Sequence, residues 1–249
     1  MTAGERPRVL ERLRGLGFSL DDSATLADHF LEAEARGRRG HGLSRVEWLG
    51  TLPELNPKAR PRVVVAEGGY ERWEGNGALG YLVLAAIVEA QLADPPERAR
   101  VIVAANCFPT GMLGYWVRKL ADGGYVAALT ATSPARLGHP SGGPSLAGTN
   151  PLAIAIPSSD GRPLVADVSM GAVTYGDVLT GAAAPDELVP FGGAQAHKAF
   201  ALALGLQLLV DALTGDGNYG AVLLVAPPAA DPVPALRAGA AGVRLPGDR

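Results

Sequence analysis

The segment Val101–Thr130 reads VIVAANCFPTGMLGYWVRKLADGGYVAALT and contains the pattern that decides the fold class. Val101–Ala104 is a short β-branched run typical of a strand. Leu113–Ala121 favours a helix, and Tyr125–Thr130 favours a second strand. Alternation of strand, helix and strand predicts an α/β organisation.

The same alternation extends outward on both sides of this segment. Residues 7–36 indicate two helices, the second beginning with Ser19 and Asp22 at the spacing of a capping box. A short helix carries Arg45, Trp48 and Leu49. Further strands, helices and apolar segments are expected at Val63–Ala66, Ala78–Ala93, Leu152–Ile156, Leu164–Val168, Lys198–Leu213 and Ala221–Val225.

These elements suggest three regions. Residues 1–60 form an N-terminal helical segment, residues 61–213 an α/β core, and residues 214–249 a C-terminal segment that returns to the first region. Within the core, residues 133–151 are rich in Gly, Pro and Ser and indicate a long loop. Long loops in compact proteins are more often functional than idle.

Composition limits the function classes. The chain has 249 residues, 47% hydrophobic and 19% charged, with a formal net charge of −3. No concentrated basic surface is apparent beyond Arg36–Arg39, which disfavours nucleic-acid binding. The single Cys107 excludes an internal disulfide or a cysteine zinc cluster, and no metal site is predicted. No uninterrupted apolar run reaches the roughly 20 residues that span a bilayer, so a cytoplasmic protein without membrane contact is expected.

Gly75–Gly80 matches the G-x-G-x-x-G pattern of dinucleotide-binding sheets. In that motif the first glycine directly follows a strand. Here the preceding clear strand candidate ends near Ala66, and the next strand ends at Asn106 instead of an acidic residue. The sequence therefore favours a glycine-rich helix entry over a Rossmann site.

Five separated segments carry a more specific signal. They are Arg36-Gly37 through Gly40-His41-Gly42 to Arg45; Gly148-Thr149-Asn150-Pro151; Ala166-Asp167-Val168-Ser169-Met170 with Tyr175-Gly176; Pro190-Phe191-Gly192-Gly193 with Lys198; and Arg244-Leu245-Pro246-Gly247. In this order they resemble the malate/L-lactate dehydrogenase family, a non-Rossmann, sulfolactate dehydrogenase-like group of NAD(P)-dependent reductases.

The resemblance implies a malate/L-lactate dehydrogenase-like (non-Rossmann) α/β fold with an N-terminal helical segment. It also implies a homodimer whose active site draws residues from both subunits. The expected cofactor is NAD or NADP, with NADPH slightly preferred, and the expected substrate is a small 2-oxo acid or cyclic imine bearing a carboxylate.

The resemblance assigns His41 as the catalytic proton donor. Histidine suits this role because its ordinary pKa lies near neutrality. Arg45 follows four residues later; if both lie on one helical turn, it shares a face with His41 and can clamp a substrate carboxylate. The structural alternative is that His41 shapes a turn and Arg45 is a solvated surface charge.

Other site residues follow from the same resemblance. Thr149 and Asn150 are expected to bind substrate, or else to shape an Asn-Pro turn. His197 and Lys198 precede a long apolar helix and are expected to approach the cofactor, unless they are surface residues at a helix start. The remaining cofactor-binding candidates are Ala166, Asp167, Val168, Ser169, Met170, Gly171, Ala172 and Gly247.

Several departures distinguish this chain from the family pattern. Gly40 replaces a serine before the histidine, which removes a hydroxyl. Pro109 stands where a second active-site histidine is expected, and its side chain neither donates nor accepts a hydrogen bond. Asp177 replaces a frequent lysine, which reverses a charge near the cofactor stretch. The regions from Val178 to Pro190 and after Thr214 are shortened.

These departures leave three hypotheses open. The leading one is an NAD(P)H-dependent reductase in a specialised pathway. The second is a repurposed member that uses His41 for non-redox acid–base chemistry such as isomerisation, dehydration or cyclisation. The third is a non-catalytic binding protein.

Overall fold

A computed structural model describes residues 4–215 and 219–248. The N-terminal region is helical, as predicted: α1 spans Glu5–Gly15, α2 spans Leu20–Ala35, and α3 spans Ser44–Leu49, with a single 3-10 turn at Arg39–His41 before α3. The Ser19 hydroxyl caps α2 by accepting the Asp22 N–H at 3.1 Å, which satisfies a backbone donor that the helix itself leaves unpaired.

Within the described residues, seven strands form one sheet and two short strands form a hairpin. The strands are β1 Arg62–Glu67, β2 Tyr70–Glu74, β3 Arg100–Ala105, β4 Val126–Ala131, β5 Leu137–Gly138, β6 Ser145–Ala147, β7 Leu152–Ile156, β8 Leu164–Val168 and β9 Gly220–Ala226. The α/β class is therefore confirmed. The hairpin of β5 and β6 lies inside the segment predicted to be a loop.

The large sheet has the order β1-β2-β3-β9-β4-β7-β8. Only the β2–β3 pair is parallel among its described neighbours. β9 comes from the C-terminal region and lies between β3 and β4. The boundary predicted near residue 213 therefore does not separate the C-terminal segment from the sheet.

The sheet is covered by helices on both faces, and the remaining helices come after the N-terminal region. They are α4 Gly80–Ala93, α5 Leu113–Asp122, α6 Tyr175–Leu179, α7 Ala196–Thr214 and α8 Val233–Gly239. Leu223 of β9 is buried with α4 and α5 in the main core. Gly220, three residues earlier and so on the opposite face, approaches Val210 and Thr214 of α7.

The glycine segment Gly75–Gly80 directly follows β2, so the expectation that no strand precedes it was wrong. Charged, partly exposed side chains hid β2 in the sequence. A Cβ at Gly75 would overlap the Asn106 carbonyl oxygen, and one at Gly80 would lie 2.7 Å from the Phe108 nitrogen. These glycines admit a neighbouring backbone, and the mixed sheet differs from a doubly wound one.

Helix α7 is strongly apolar. Together with the turn before it (Gly193–Thr214), it is the one helix among the described residues long and apolar enough to cross a membrane by length and composition, and 28% of its most apolar window is buried in the chain. Gln207 and Asp211 interrupt the apolar run. It packs across β3, β4 and β9 and leaves much of its outer surface exposed.

Candidate active site

His41 lies in the wall of a cavity of about 340 Å³ between the N-terminal helices and the sheet. The 3-10 turn holds it, because its backbone N–H donates to the Arg38 carbonyl at 2.8 Å. Burial and the charge of Arg45 lower the pKa of His41 to about 4, although Asp177 acts in the opposite direction. The imidazole is therefore neutral at neutral pH.

Arg45 lines the same cavity from α3 and is only 7% exposed. Its Nε donates to the Gly40 carbonyl at 2.6 Å, and its guanidinium lies 4.8 Å from the centroid of the Trp48 ring. His41 and Arg45 share the cavity although they lie on two elements, not on the one helical turn that the sequence suggested. An ordered guanidinium of this kind suits a carboxylate.

Gly40 allows close contact between the 3-10 turn and α6. A Cβ at Gly40 would lie 2.7 Å from the backbone carbon of Gly176 and 2.9 Å from the nitrogen of Asp177. A serine at position 40 therefore does not fit this arrangement without a backbone shift. The contact also brings the Asp177 charge close enough to His41 to raise its pKa.

Asp177 has a fixed orientation. Its carboxylate accepts the backbone N–H of Thr174 at 2.8 Å and the Thr174 hydroxyl at 2.7 Å, and the Thr174 side chain caps α6 in return. The carboxylate of Asp177, at a position where the family pattern often has a lysine, therefore acts on the pKa of His41. Its effect on cofactor phosphates stays a prediction.

Pro109 contributes to an apolar wall of the cavity, together with Phe108, Met112 and Leu113. Among the described residues that line this cavity, His41 is the only histidine. This wall is thus suited to an apolar or aromatic surface.

The predicted substrate residues Thr149 and Asn150 take different positions. Thr149 lines the cavity. Asn150 is fully buried, and its amide donates to the Ala203 carbonyl and to the Gln207 side chain at 2.9 Å each. These two hydrogen bonds connect the end of the loop at residues 133–151 to α7. Contact of Asn150 with a substrate stays a prediction.

The predicted cofactor residues 166–172 divide between two cavities and the structure outside them. Asp167 lines both, and Ser169 lines the first. The Asp167 carboxylate accepts the Gly114 N–H at 2.7 Å, and burial raises its pKa. Ala166 and Val168 line the second cavity. Met170, Gly171 and Ala172 line neither; Gly171 pairs with Pro190 instead.

The second cavity measures about 560 Å³ and adjoins the first, since Arg38, Met112 and Asp167 line both. Four arginines line it: Arg36, Arg38, Arg118 and Arg244. Gly247 also lines it, and a Cβ there would lie 2.9 Å from the Val165 nitrogen. Residues of the C-terminal segment and of the N-terminal region thus line the same cavity. Clustered guanidinium groups suit a phosphate-bearing ligand.

His197 and Lys198 lie exposed at the start of α7 and line neither cavity. Two further residues line the first cavity: Arg136, which sequence reasoning missed, and Tyr175, which lies in one of the family segments but was given no role of its own. Arg136 is the one basic residue besides His139 in the Gly/Pro-rich loop. That isolated charge in a functional loop was an available signal.

A family model described as malate/L-lactate dehydrogenase matches residues 5–188. A Δ1-pyrroline-2-carboxylate/Δ1-piperideine-2-carboxylate reductase from Pseudomonas putida is 28% identical over 219 residues, which cover 76% of this chain and 63% of that protein. A (2R)-3-sulfolactate dehydrogenase (NADP⁺) from Chromohalobacter salexigens is 29% identical over 82% of this chain and 68% of its own. The chain thus spans about two thirds of these relatives.

Solved structures agree with this match. A dehydrogenase from Sinorhizobium meliloti superimposes with a TM-score of 0.85 at 26% identity, covering 98% of this chain and 87% of the other. A Δ1-piperideine-2-carboxylate reductase from Pseudomonas syringae gives a TM-score of 0.80 at 23% identity, covering 100% and 92%. The second likeness supports the fold alone.

Proposed function

Because the chain belongs to the malate/L-lactate dehydrogenase family, we propose that it is an NAD(P)H-dependent reductase of a small 2-oxo acid or cyclic imine that bears a carboxylate. The observation that carries the proposal is the meeting of His41 and Arg45 in one cavity with an apolar wall. Reduction of a C=O or C=N bond needs a hydride at carbon and a proton at oxygen or nitrogen. A nicotinamide, when bound, supplies the hydride.

The residues of the chain supply the remaining functions. Arg45 binds the substrate carboxylate through its Nη atoms, because its Nε is already used by Gly40. This fixes the neighbouring carbonyl or imine beside His41. His41 delivers the proton to the developing anion, and in the oxidative direction its neutral form accepts that proton.

The two adjoining cavities suit a dinucleotide. Each has a volume within the roughly 300–1,000 Å³ typical of ligand sites. The apolar wall at Pro109 and Met112 would face the nicotinamide ring, while Arg36, Arg38 and Arg244 would hold phosphates. This excess of guanidinium groups favours NADPH, which carries an additional phosphate, over NADH.

We also propose a homodimer with a shared active site. The outer surface of α7 exposes Leu202 (54%), Leu208 (59%) and Leu209 (47%). Contiguous apolar surface of this kind marks an interaction site, and Ile154 and Leu224 extend it onto the sheet. His197 and Lys198 begin the same helix outside both cavities, which fits a role at the cavity of the other subunit.

Titration of the pure protein with NADPH and NADH tests the proposal. Trp48 lines the first cavity, so bound dihydronicotinamide would quench its emission and receive energy from it. We expect saturation in the micromolar range, tighter for NADPH. Absence of saturable binding of either nucleotide below millimolar concentration would refute the reductase.

A second candidate function is non-redox acid–base chemistry at the same cavity. Two features favour it: Pro109 stands where the family pattern has a histidine, and His41, whose pKa is lowered to about 4, is neutral and free to accept a proton at neutral pH. Turnover of a carboxylate-bearing substrate without nicotinamide, lost in His41→Ala, would establish it. Strict dependence on nicotinamide would exclude it.

A further inference from the structure

Tyr81 of α4 is a polar residue of the first cavity that the proposed mechanism does not use. It lines the cavity together with His41 and Arg45, although only 1% of its surface is exposed. Its hydroxyl makes no hydrogen bond to any other described residue. Because buried hydroxyl groups are normally paired, this donor is left for a ligand or for water in the cavity.

The ring of Tyr81 is held in one orientation. It meets the His29 ring edge to face at a centroid distance of 4.9 Å and the Phe30 ring at 5.3 Å. A Cβ at Gly111 would overlap the Cε1 atom of Tyr81. These contacts cover the apolar part of the side chain, so the hydroxyl is the end that the cavity reaches.

The hydroxyl keeps its proton over the whole neutral range. Burial raises the pKa of Tyr81 to about 12, although the charge of Arg45 acts in the opposite direction. The guanidinium of Arg45 therefore lies within electrostatic reach of the phenol. A substrate carboxylate bound by Arg45 would bring its neighbouring carbonyl towards Tyr81 as well as towards His41.

Tyr81 lies beside the segment in which Pro109 stands where the family pattern has a histidine. The start of α4 packs on this segment, since a Cβ at Gly80 would lie 2.7 Å from the Pro109 carbonyl oxygen. The Tyr81 ring packs on Gly111, two residues after Pro109. Tyr81 thus brings a hydroxyl to a part of the wall where the proline side chain offers neither a donor nor an acceptor.

We propose that Tyr81 is a further catalytic residue, whose hydroxyl donates a hydrogen bond to the carbonyl oxygen of a 2-oxo acid held by Arg45. This inference rests on the proposed function, from which it takes the roles of Arg45 and His41. As the carbonyl carbon gains a hydride, the π electron pair of the C=O bond moves onto the oxygen. His41 supplies the proton that this oxygen takes up, and Tyr81 keeps its own proton.

Two properties of a carbonyl oxygen suit this arrangement. The oxygen has two lone pairs, so it can accept the Tyr81 hydroxyl and the His41 proton together, whereas an imine nitrogen has only one lone pair. Negative charge also develops on the oxygen during reduction, and a donor fixed in advance stabilises that charge more than the ground state. Tyr81 should therefore act mainly on kcat.

Tyr81→Phe tests this role, because it removes the hydroxyl and keeps the ring. With the 2-oxo acid that the wild-type protein reduces fastest, kcat should fall about 100-fold, as on removal of one donor to a developing oxyanion. KM should rise less than kcat falls, and Tm and NADPH binding should stay unchanged. The decline of reduction with rising pH should persist, because His41 is intact.

Oxamate gives a measure that needs neither nucleotide nor turnover. It carries a carboxylate for Arg45 beside an amide carbonyl that is not reduced. Calorimetric titration should show that Tyr81→Phe binds oxamate about fivefold more weakly than the wild-type protein does, which corresponds to the loss of one neutral hydrogen bond.

Tyr115→Phe is the matched control. Tyr115 is also buried, and its ring also meets the His29 ring, at a centroid distance of 5.0 Å. It lines neither of the two cavities. Loss of its hydroxyl should therefore leave both kcat and the binding of oxamate unchanged.

The inference is overturned if Tyr81→Phe keeps the wild-type kcat, if oxamate binds this variant as tightly as the wild-type protein or binds neither, or if Tyr115→Phe shows equal losses. A wild-type protein that reduces cyclic imines but no 2-oxo acid would refute this inference alone. Oxamate binding that depends on Tyr81, in a protein that binds neither NADPH nor NADH, would refute the proposed function alone.

Discussion

His41 is a neutral imidazole at neutral pH, because burial and Arg45 lower its pKa to about 4. The pH dependence of kcat/KM reports the ionisation of the free enzyme. The pH profiles of the oxidation and of the reduction should therefore differ. For oxidation, kcat/KM should rise up to about pH 4 and then stay level. For reduction, it should fall about tenfold per pH unit above that value. Initial rates in both directions between pH 5 and 8 measure this.

Substitution of Asp177 offers a second way to change the pKa of His41. The charge of Asp177 raises the pKa of His41, so Asp177→Asn should lower the pKa further and decrease reduction at every pH above it. Asp186→Asn, in an exposed turn, should leave the profile unchanged. A reduction rate that is independent of pH between 5 and 8 would contradict this role of His41.

His29 should make the stability of the fold depend on pH. It is completely buried, its Nε2 accepts the Met112 N–H at 3.0 Å, and its Nδ1 has no partner among the described residues. Burial, assisted by His41, lowers its pKa to about 3. In the unfolded chain His29 therefore binds a proton as the pH falls below about 6.5, whereas in the folded chain it stays neutral down to about pH 3.

It follows that the free energy of unfolding is lost as pH falls below about 6.5, by about 1.4 kcal/mol per pH unit for this histidine. His41 adds a similar loss down to about pH 4. His29→Gln should remove its share of the slope in urea unfolding between pH 4.5 and 7. An unchanged slope in that variant would show that His29 does not titrate as described.

At the scale of elements, the contact between the 3-10 turn and α6 sets the position of His41 relative to Asp177. Gly40→Ser would place a Cβ against the backbone of Gly176, and overpacking of this kind costs about 1–3 kcal/mol. We expect a lower Tm and a kcat/KM decreased at least tenfold, because α6 and Asp177 must shift. Gly15→Ser is the control, since a Cβ there meets nothing within 4 Å. Full activity of Gly40→Ser would mean that α6 tolerates the displacement.

The elements also show what the sequence predicts and what it hides. Hydrophobic patterning predicted α5 from its amphipathic period, and predicted α4, β3 and β4 as apolar runs, most of whose side chains are buried. It missed β2, whose charged residues lie on a partly exposed strand. It also missed α8, where Val233 is the only buried residue of the helix.

The candidate site likewise contains residues that the sequence predicts and contacts that it does not. His41 and Arg45 are close in sequence within a recognisable motif, so their meeting could be predicted. The stacking of Arg136 on Tyr175 joins a loop to a distant helix, and no local pattern encodes that contact. Asn150 was assigned to substrate because its buried bonds to α7 are likewise invisible in the sequence.

At the scale of the whole molecule, the exposed apolar surface of α7 predicts a dimer. Leu208→Glu would place a charge in that interface and should convert the protein to a monomer, as measured by sedimentation. Turnover should fall with it, because the shared site would be incomplete. Leu20→Glu, at an equally exposed leucine on α2, should leave both unchanged. A wild-type monomer with full activity would contradict the shared site.

The most direct test follows NADPH consumption by wild-type protein, His41→Asn and Arg45→Lys with a panel of 2-oxo acids and cyclic imino acids. We expect the wild-type protein to turn over at least one of them. His41→Asn should decrease kcat at least about 100-fold with nucleotide binding retained, and Arg45→Lys should mainly raise KM. If His41→Asn reduces the same substrate at the wild-type rate, the cavity of His41 and Arg45 is not where the proton is transferred.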